Sequence, residues 1–304
     1  MCQHYQRLWG RLTVAIALLG LIVISAPAHT VRGTQATALP SSAVQKGLVS
    51  APALTPDICV PDGQGRCRNE VLVKLTDPTA LPIISAAFQL TLIDQLEGRP
   101  IYRLRLANPL ASVQNVLTAL LSNPLVAYAE PNYLGEEPEG VYASSWSKGG
   151  DENGYRKQWA IDKIRLPEAH TVSRGAGITV AVLDTGADLD HPALAGHLVQ
   201  GIDFVDGDLD PSEEGVYGQD IAFGHGTHVA GLVALAAPDA KIMPLRILRP
   251  DGSGNSWLLA QAIRYAAARG AKVINISYSV HQRSFLIDEL LSEVTSLAPG
   301  AVPT

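Results

Sequence analysis

Asp184 ends the apolar run TVAVLD and is followed by Thr185 and Gly186, so a carboxylate stands at a strand end with a tight glycine turn behind it. Further along, His225 opens GHGTHVAGLVAL, with Gly224 and Gly226 on either side and an apolar run behind it. The glycines let the backbone turn sharply, and the apolar run anchors the histidine's helix in a core. Two chemistries use such an Asp-Thr-Gly. One shares a proton between two carboxylates, but this chain holds a single Asp-Thr-Gly in α/β rather than all-β surroundings. The other lets Asp184 accept a hydrogen bond from one nitrogen of His225, which leaves the second nitrogen as general base. An acid at the end of a parallel strand and an imidazole at a helix start meet at the carboxyl edge of an open sheet. The second scheme is the one the pattern favours. His228, three residues past His225 and without a third ligand, reads as a packed helix residue rather than part of a metal site.

The elements that must position this pair alternate from about Tyr155 onward. GITVAVLD, KIMPLRIL and AKVINISYSV read as buried strands. GHGTHVAGLVALAA, SWLLAQAIRYAAARG with Gly270 as its stop, and RSFLIDELLSEVTSL with Leu286, Leu290, Val294 and Leu297 on one face read as helices. The expected fold over residues 155–304 is therefore α/β, a parallel sheet with helices on both faces. Residues 68–134 form a separate small α+β unit. In it EVLVKL and RPIYRLRLA alternate apolar and polar residues, with Tyr102, Leu104 and Leu106 facing inward and Arg103 and Arg105 facing water. A helix in SVQNVLTALLSN and a closing strand in LVAYAEPNY complete it.

Residues 29–67 and 135–154 have the composition of linkers, with no periodicity. Residues 1–28 read as a signal peptide: Arg7 and Arg11 precede the apolar run Leu12–Ile24, and Ala26 and Ala28 form an A-x-A site. The run is shorter than the ~20 residues of a spanning helix, so the expectation is a secreted chain with no membrane partner after cleavage. Export permits a disulfide between Cys59 and Cys67. With Lys+Arg 23, Asp+Glu 29 and a net charge of −6, no basic stripe exists to suggest a nucleic-acid partner.

The pairing of TVAVLDTGADLDHPAL with GHGTHVAG resembles the subtilisin-like serine proteases, the subtilases, in which the acid motif precedes the histidine motif. The likeness runs from about Arg68 to Leu297. It implies peptide-bond hydrolysis, with Asp184 as the triad aspartate and His225 as the triad histidine. QWAIDKIRLPEAH is similar to the start of the family's catalytic domain. DGSGNS and NISYS resemble the two stretches lining the family's substrate cleft, where an extended peptide lies as an added strand. On that basis Gly252, Ser253, Gly254, Ser277, Tyr278 and Ser279 are substrate-binding. The family has glycines where Ser279 and Val280 stand, which leaves the primary specificity pocket unassigned. The small unit ending in AYAEPNY resembles the family's propeptide, which chaperones folding and blocks the cleft. The implied partners are polypeptide substrates and the chain's own propeptide-like domain.

The family's nucleophile lies in G-T-S-x-A at a helix start, and this sequence has no such motif. Ser253, Ser256, Ser277, Ser279, Ser284, Ser292 and Ser296 all lack that setting. The oxyanion asparagine has no counterpart either, since Asn275 lies in an apolar strand and Asn255 precedes a helix. Removing the serine alone costs such an enzyme ~10⁶-fold in turnover. The expectation is a subtilase precursor truncated before its serine and inactive by itself. The alternatives are a non-catalytic peptide-binding or partner-complemented module, and an aspartic protease. Asp203, Asp206, Asp208 and Asp210 offer oxygens to calcium, but the loop lacks the glycine and glutamate of an EF-hand. It reads as a solvated acidic loop, and no metal or other cofactor is expected.

Overall fold

The computed structural model describes residues 20–23, 56–137 and 152–296. The remainder of the expected signal peptide, the linker stretches 29–55 and 138–151, and Leu297 lie outside the described residues. Within the expected signal peptide, β1 (Gly20–Val23) pairs antiparallel with a strand of the main sheet, from Gly20 opposite Ile276 to Val23 opposite Val273. Among the described residues no helix is long and apolar enough to cross a membrane.

The first unit begins before residue 68. Cys59 and Cys67 form the expected disulfide, and β2 (Arg66–Leu75) follows at once. Then come α1 (Leu81–Phe88), β3 (Leu90–Gln95), β4 (Ile101–Leu106), α2 (Val113–Leu121) and β5 (Val126–Glu136). The strands form an antiparallel sheet in the order β3-β4-β2-β5. Alternation gives this sheet two faces. Val71, Val73, Leu75, Tyr102, Leu104 and Leu106 pack with Ile84 of α1 and with Leu117 and Leu120 of α2. The opposite face carries Glu70, Leu72, Ile101 and Arg103, and it is covered rather than solvated.

That covering corrects the expectation that Arg103 faces water: it is 4% exposed. Its Nε donates to Glu70 Oε2 and its Nη2 to Asp57 Oδ1, both at 2.8 Å. Arg105, half-buried, also donates to Glu70 at 2.8 Å. A period-two pattern identifies which residues share a face, but not whether that face meets water or a second domain. Burial alone would push Glu70 up, yet the charge of Arg103 and the bonds from Arg103, Asn132 and Arg105 outweigh it and hold the carboxyl below its ordinary range.

The second unit holds α3 (Glu152–Arg156), α4 (Trp159–Lys163) and α5 (Leu166–Val172), then β6 (Thr179–Asp184), β7 (Ile202–Asp203), α6 (His225–Ala236) and β8 (Lys241–Arg246). It continues with β9 (Ser253–Asn255), α7 (Ser256–Ala268), β10 (Val273–Ile276) and α8 (Phe285–Ser296). Strands β10, β6, β8 and β7 are parallel neighbours in that order. Successive residues of β6 enter opposite cores. Val180 and Val182 join Val229, Ala230 and Ala234 of α6. Ala181 and Leu183 join a cluster that includes Ile263 and Ala266 of α7, Leu286 and Leu290 of α8, and Leu72 and Ile101 of the first unit. Helices thus cover both faces of a parallel sheet, as the apolar strand pattern requires.

Candidate active site

β6 places Asp184 at the carboxyl end of a central strand, and α6 begins at His225 beside it. Both side chains are buried, with His225 Nδ1 and Asp184 Oδ1 2.6 Å apart. Thr185 N also donates to Asp184 Oδ1 at 2.8 Å. The two segments meet because they carry glycine where they touch. A Cβ on Gly226 would lie 2.0 Å from the Gly186 carbonyl oxygen, and Gly186 itself sits at φ +107. Gly224 precedes the helix at φ +92, a conformation other residues adopt at a cost. A carboxylate bonded to Nδ1 fixes the imidazole's orientation and tautomer, so that Nε2 is the nitrogen presented to a reacting proton. His228 lies half-buried further along α6.

A third group in this arrangement has no signature in the sequence. Glu213 Oε1 accepts from Thr185 Oγ1 at 2.5 Å and from Gly224 N at 2.7 Å, and Oε2 accepts from Thr227 Oγ1. Burial pushes this carboxyl above its ordinary range. The hydrogen bonds from Thr185, Thr227 and Gly224 act against the rise, and the neighbouring charge of Asp184 adds to it. Thr185 and Thr227 lie inside the two motifs, but Glu213 stands in an acidic stretch whose spacing sets no residue apart from its neighbours.

Five of the six residues assigned to the cleft, all but Ser277, lie along one extended segment. In β5, Leu134 pairs antiparallel with Asn255, Gly135 with Gly254, and Glu136 with Ser253. On the other side, Glu136 N donates to Ser279 O at 3.0 Å and Ser279 N donates to Glu136 O at 2.9 Å. Glu137 N donates to Gly252 O at 3.0 Å. A Cβ on Gly135 would lie 2.3 Å from Ser279 O and 2.4 Å from the ring of Tyr278, so a glycine is needed where β5 threads between them. Ser277 is buried, with its Oγ accepting from Asn275 Nδ2 at 3.0 Å. Gly135 and Glu136, expected as the start of a linker, are instead the tail of this strand. Asn255 caps α7, accepting from Trp257 N and Leu258 N at 3.1 Å each.

The acidic loop is solvated at Asp206, Asp208 and Asp210, as expected, but Asp203 is buried. Arg246 at the end of β8 is buried, and its Nη1 donates to Asp203 Oδ2 at 2.5 Å and to Asp206. Its Nη2 donates to Glu214 Oε2 at 3.1 Å. Asp203, Asp206 and Glu214 are close enough together to suit a metal ion, but a guanidinium already engages all three. Asp208 and Asp210 instead turn the loop back on itself, Asp208 Oδ1 accepting from Asp210 N at 2.8 Å and Asp210 Oδ1 from Ser212 N at 3.1 Å.

An acid–imidazole pair at the carboxyl edge of a parallel sheet, with an extended strand beside it, is the layout of an acid–base–nucleophile enzyme domain. Comparison with known proteins agrees. Residues 175–296 match the subtilase family, and residues 62–132 match the fervidolysin N-terminal prodomain. The chain is 39% identical over 178 residues to the thermophilic serine proteinase of Bacillus sp. (strain AK1), covering 55% of this chain and 40% of that one. It is 40% identical over 131 residues to thermitase of Thermoactinomyces vulgaris, covering 40% of this chain and 44% of thermitase. The fold resembles fervidolysin from Fervidobacterium pennivorans, a keratinolytic enzyme related to subtilisin, with a TM-score of 0.58 at 24% identity over 80% of this chain and 41% of fervidolysin. The chain thus carries a segment that matches the subtilase family, residues 175–296, behind one that matches a fervidolysin-like prodomain, residues 62–132. It spans less than half the length of each of these relatives.

Proposed function

We propose that this chain supplies the acid–base half of a secreted serine endopeptidase, held as a zymogen by its own prodomain. The observation that carries the proposal is the 2.6 Å contact between His225 Nδ1 and Asp184 Oδ1 at the sheet edge. In hydrolysis, His225 Nε2 takes the proton of a serine hydroxyl as it attacks the scissile carbonyl, then returns it to the leaving amine. Asp184 holds the ring and stabilises the imidazolium. In this reading residues 155–296 contribute the acid and the base, and no serine among them takes the nucleophile's part. Substrate lies extended between residues 252–254 and 277–279, in the place Leu134–Glu136 occupies here, held by main-chain hydrogen bonds. Export is supported by Arg7, Arg11, the apolar run and the A-x-A site, together with the Cys59–Cys67 disulfide. The carboxylate-pair scheme loses its support, because an imidazole is bonded to Asp184.

A chimera tests this reading. Residues 155–296 replace the matching segment of the thermophilic serine proteinase of Bacillus sp. (strain AK1), and hydrolysis of a chromogenic peptide amide is followed. A folded chimera cleaves the amide, and His225→Ala lowers kcat by at least ~10³-fold. A folded chimera whose turnover ignores His225→Ala removes the dyad from the mechanism.

A further inference from the structure

We infer that Glu213 is a positioning residue for the acid–imidazole pair, a carboxylate clamp that holds the Asp184 turn and the start of the His225 helix in one register. The inference rests on the reading of Asp184 and His225 as that pair.

The connectivity makes the case. Thr185, directly after Asp184, donates its hydroxyl to Glu213 and uses the same oxygen to accept Gly226 N at 2.9 Å. Thr227, two residues after His225, donates to Glu213 and accepts Asp188 N at 2.8 Å. Gly224 N, directly before His225, donates to Glu213 Oε1 as well. One carboxylate thus grips the residue after the acid and residues on both sides of the imidazole. Each threonine then relays the grip to the opposite segment. Glycines at Gly186 and Gly226 let the backbones touch, and the one directional bond Gly226 supplies across the contact ends on Thr185, itself bonded to Glu213. The directional bonds converge on Glu213.

The donor count explains why a carboxylate is required. Both of its oxygens face hydroxyl donors, and one also faces an amide, so every partner gives a proton. A carboxamide in either orientation would turn an NH₂ toward one of the threonine hydroxyls. Aspartate would be shorter by one methylene and could not span the partners on both sides. Neither Glu213 nor its threonines touch the reacting proton, so their effect reaches the chemistry only through the alignment of Asp184 with His225.

The full chain can be tested without turnover by following the His225 Nδ1 proton in nitrogen-15 spectra of histidine-labelled protein. The resonance is assigned by its loss in His225→Ala. The unmodified chain gives a low-field, slowly exchanging Nδ1 proton that Asp184→Asn abolishes. Glu213→Gln and Thr185→Val speed its exchange with water at least ~10-fold, the loss of one hydrogen bond to a charged group. Thr185→Ser, which keeps the hydroxyl, leaves it unchanged. A packing role would give the reverse order, because valine matches threonine in shape and serine does not. If no such proton exists in the unmodified chain, the dyad reading fails and the clamp with it. A slowly exchanging proton that is indifferent to a folded Glu213→Gln and a folded Thr185→Val overturns the clamp alone.

Discussion

Glu130 of the prodomain caps the last helix of the subtilase domain through Ser284. Its Oε1 accepts from Ser284 Oγ at 2.7 Å and Leu286 N at 3.1 Å, and its Oε2 accepts from Phe285 N at 2.7 Å. A helix start leaves amide protons without partners and carries a partial positive charge, and a carboxylate answers both. One residue of β5 thereby satisfies the first turn of α8 while the six residues after it run on to pair with β9.

Glu130→Ala removes that cap and the ties from Phe285 and Leu286 together. The expected loss is about 1–3 kcal/mol of unfolding free energy, read from urea midpoints at neutral pH. Glu130→Gln retains an acceptor and costs less. An unchanged midpoint in Glu130→Ala would show that the cap contributes nothing to stability.

Acid sensitivity follows from Glu70, which the charge of Arg103 and the bonds around it hold low despite burial. A group lowered in the folded state binds more protons when unfolded. Its stabilisation is therefore complete above the ordinary glutamate range and is lost as pH falls through the folded value. Glu130 and Glu213, which burial raises, contribute with the opposite sign, lost as pH rises through their folded values. Stability measured against pH should fall on the acid side in the parent chain, and Glu70→Gln should flatten that limb at the expense of stability near neutrality.

Gly226→Ala sets a methyl carbon 2.0 Å from a backbone oxygen of Gly186, which no rotamer can relieve. The segments must part, at about 1–3 kcal/mol. The low-field proton of His225 should vanish with them. A folded variant with the parent melting temperature and an intact proton signal would contradict the close approach.

Arg246→Met strips the partner from buried Asp203, a change expected to cost about 3–5 kcal/mol at neutral pH. Burial already raises Asp203 despite the opposing charge of Arg246, so acidification protonates it readily and the deficit shrinks as pH falls. Because Arg246 supplies the cationic partner, EDTA should leave the melting temperature of the parent chain unaltered. A drop on chelation would mean that calcium shares the loop.

Much of this architecture is legible in the residues. Val180, Val182, Ala181 and Leu183 announce a strand buried on both faces, and Gly224 and Gly226 announce a sharp entry to a helix. The register of Leu286, Leu290 and Val294 identifies the buried face of α8. Arg103 shows the limit. Its alternation with Tyr102 and Leu104 assigns it correctly to the opposite face of β4, but nothing nearby in sequence says that this face meets α7 and α8. Leu134–Glu136 is similar: its residues lack strand periodicity, because its pairing partners are β9 and Ser279 rather than the rest of its own sheet.

Local pattern decides what a segment can become, since side-chain period and glycine placement act over a few residues. The sequence alone therefore marked Asp184 and His225 as an acid and a base, and outlined the elements beneath them. Which distant groups share one volume is decided by packing. Only the tertiary structure brought Glu213 between the two motifs, placed Arg246 among the acidic residues and laid Leu134–Glu136 between β9 and Ser279. Each of those contacts joins residues whose separation along the chain carries no periodic signal.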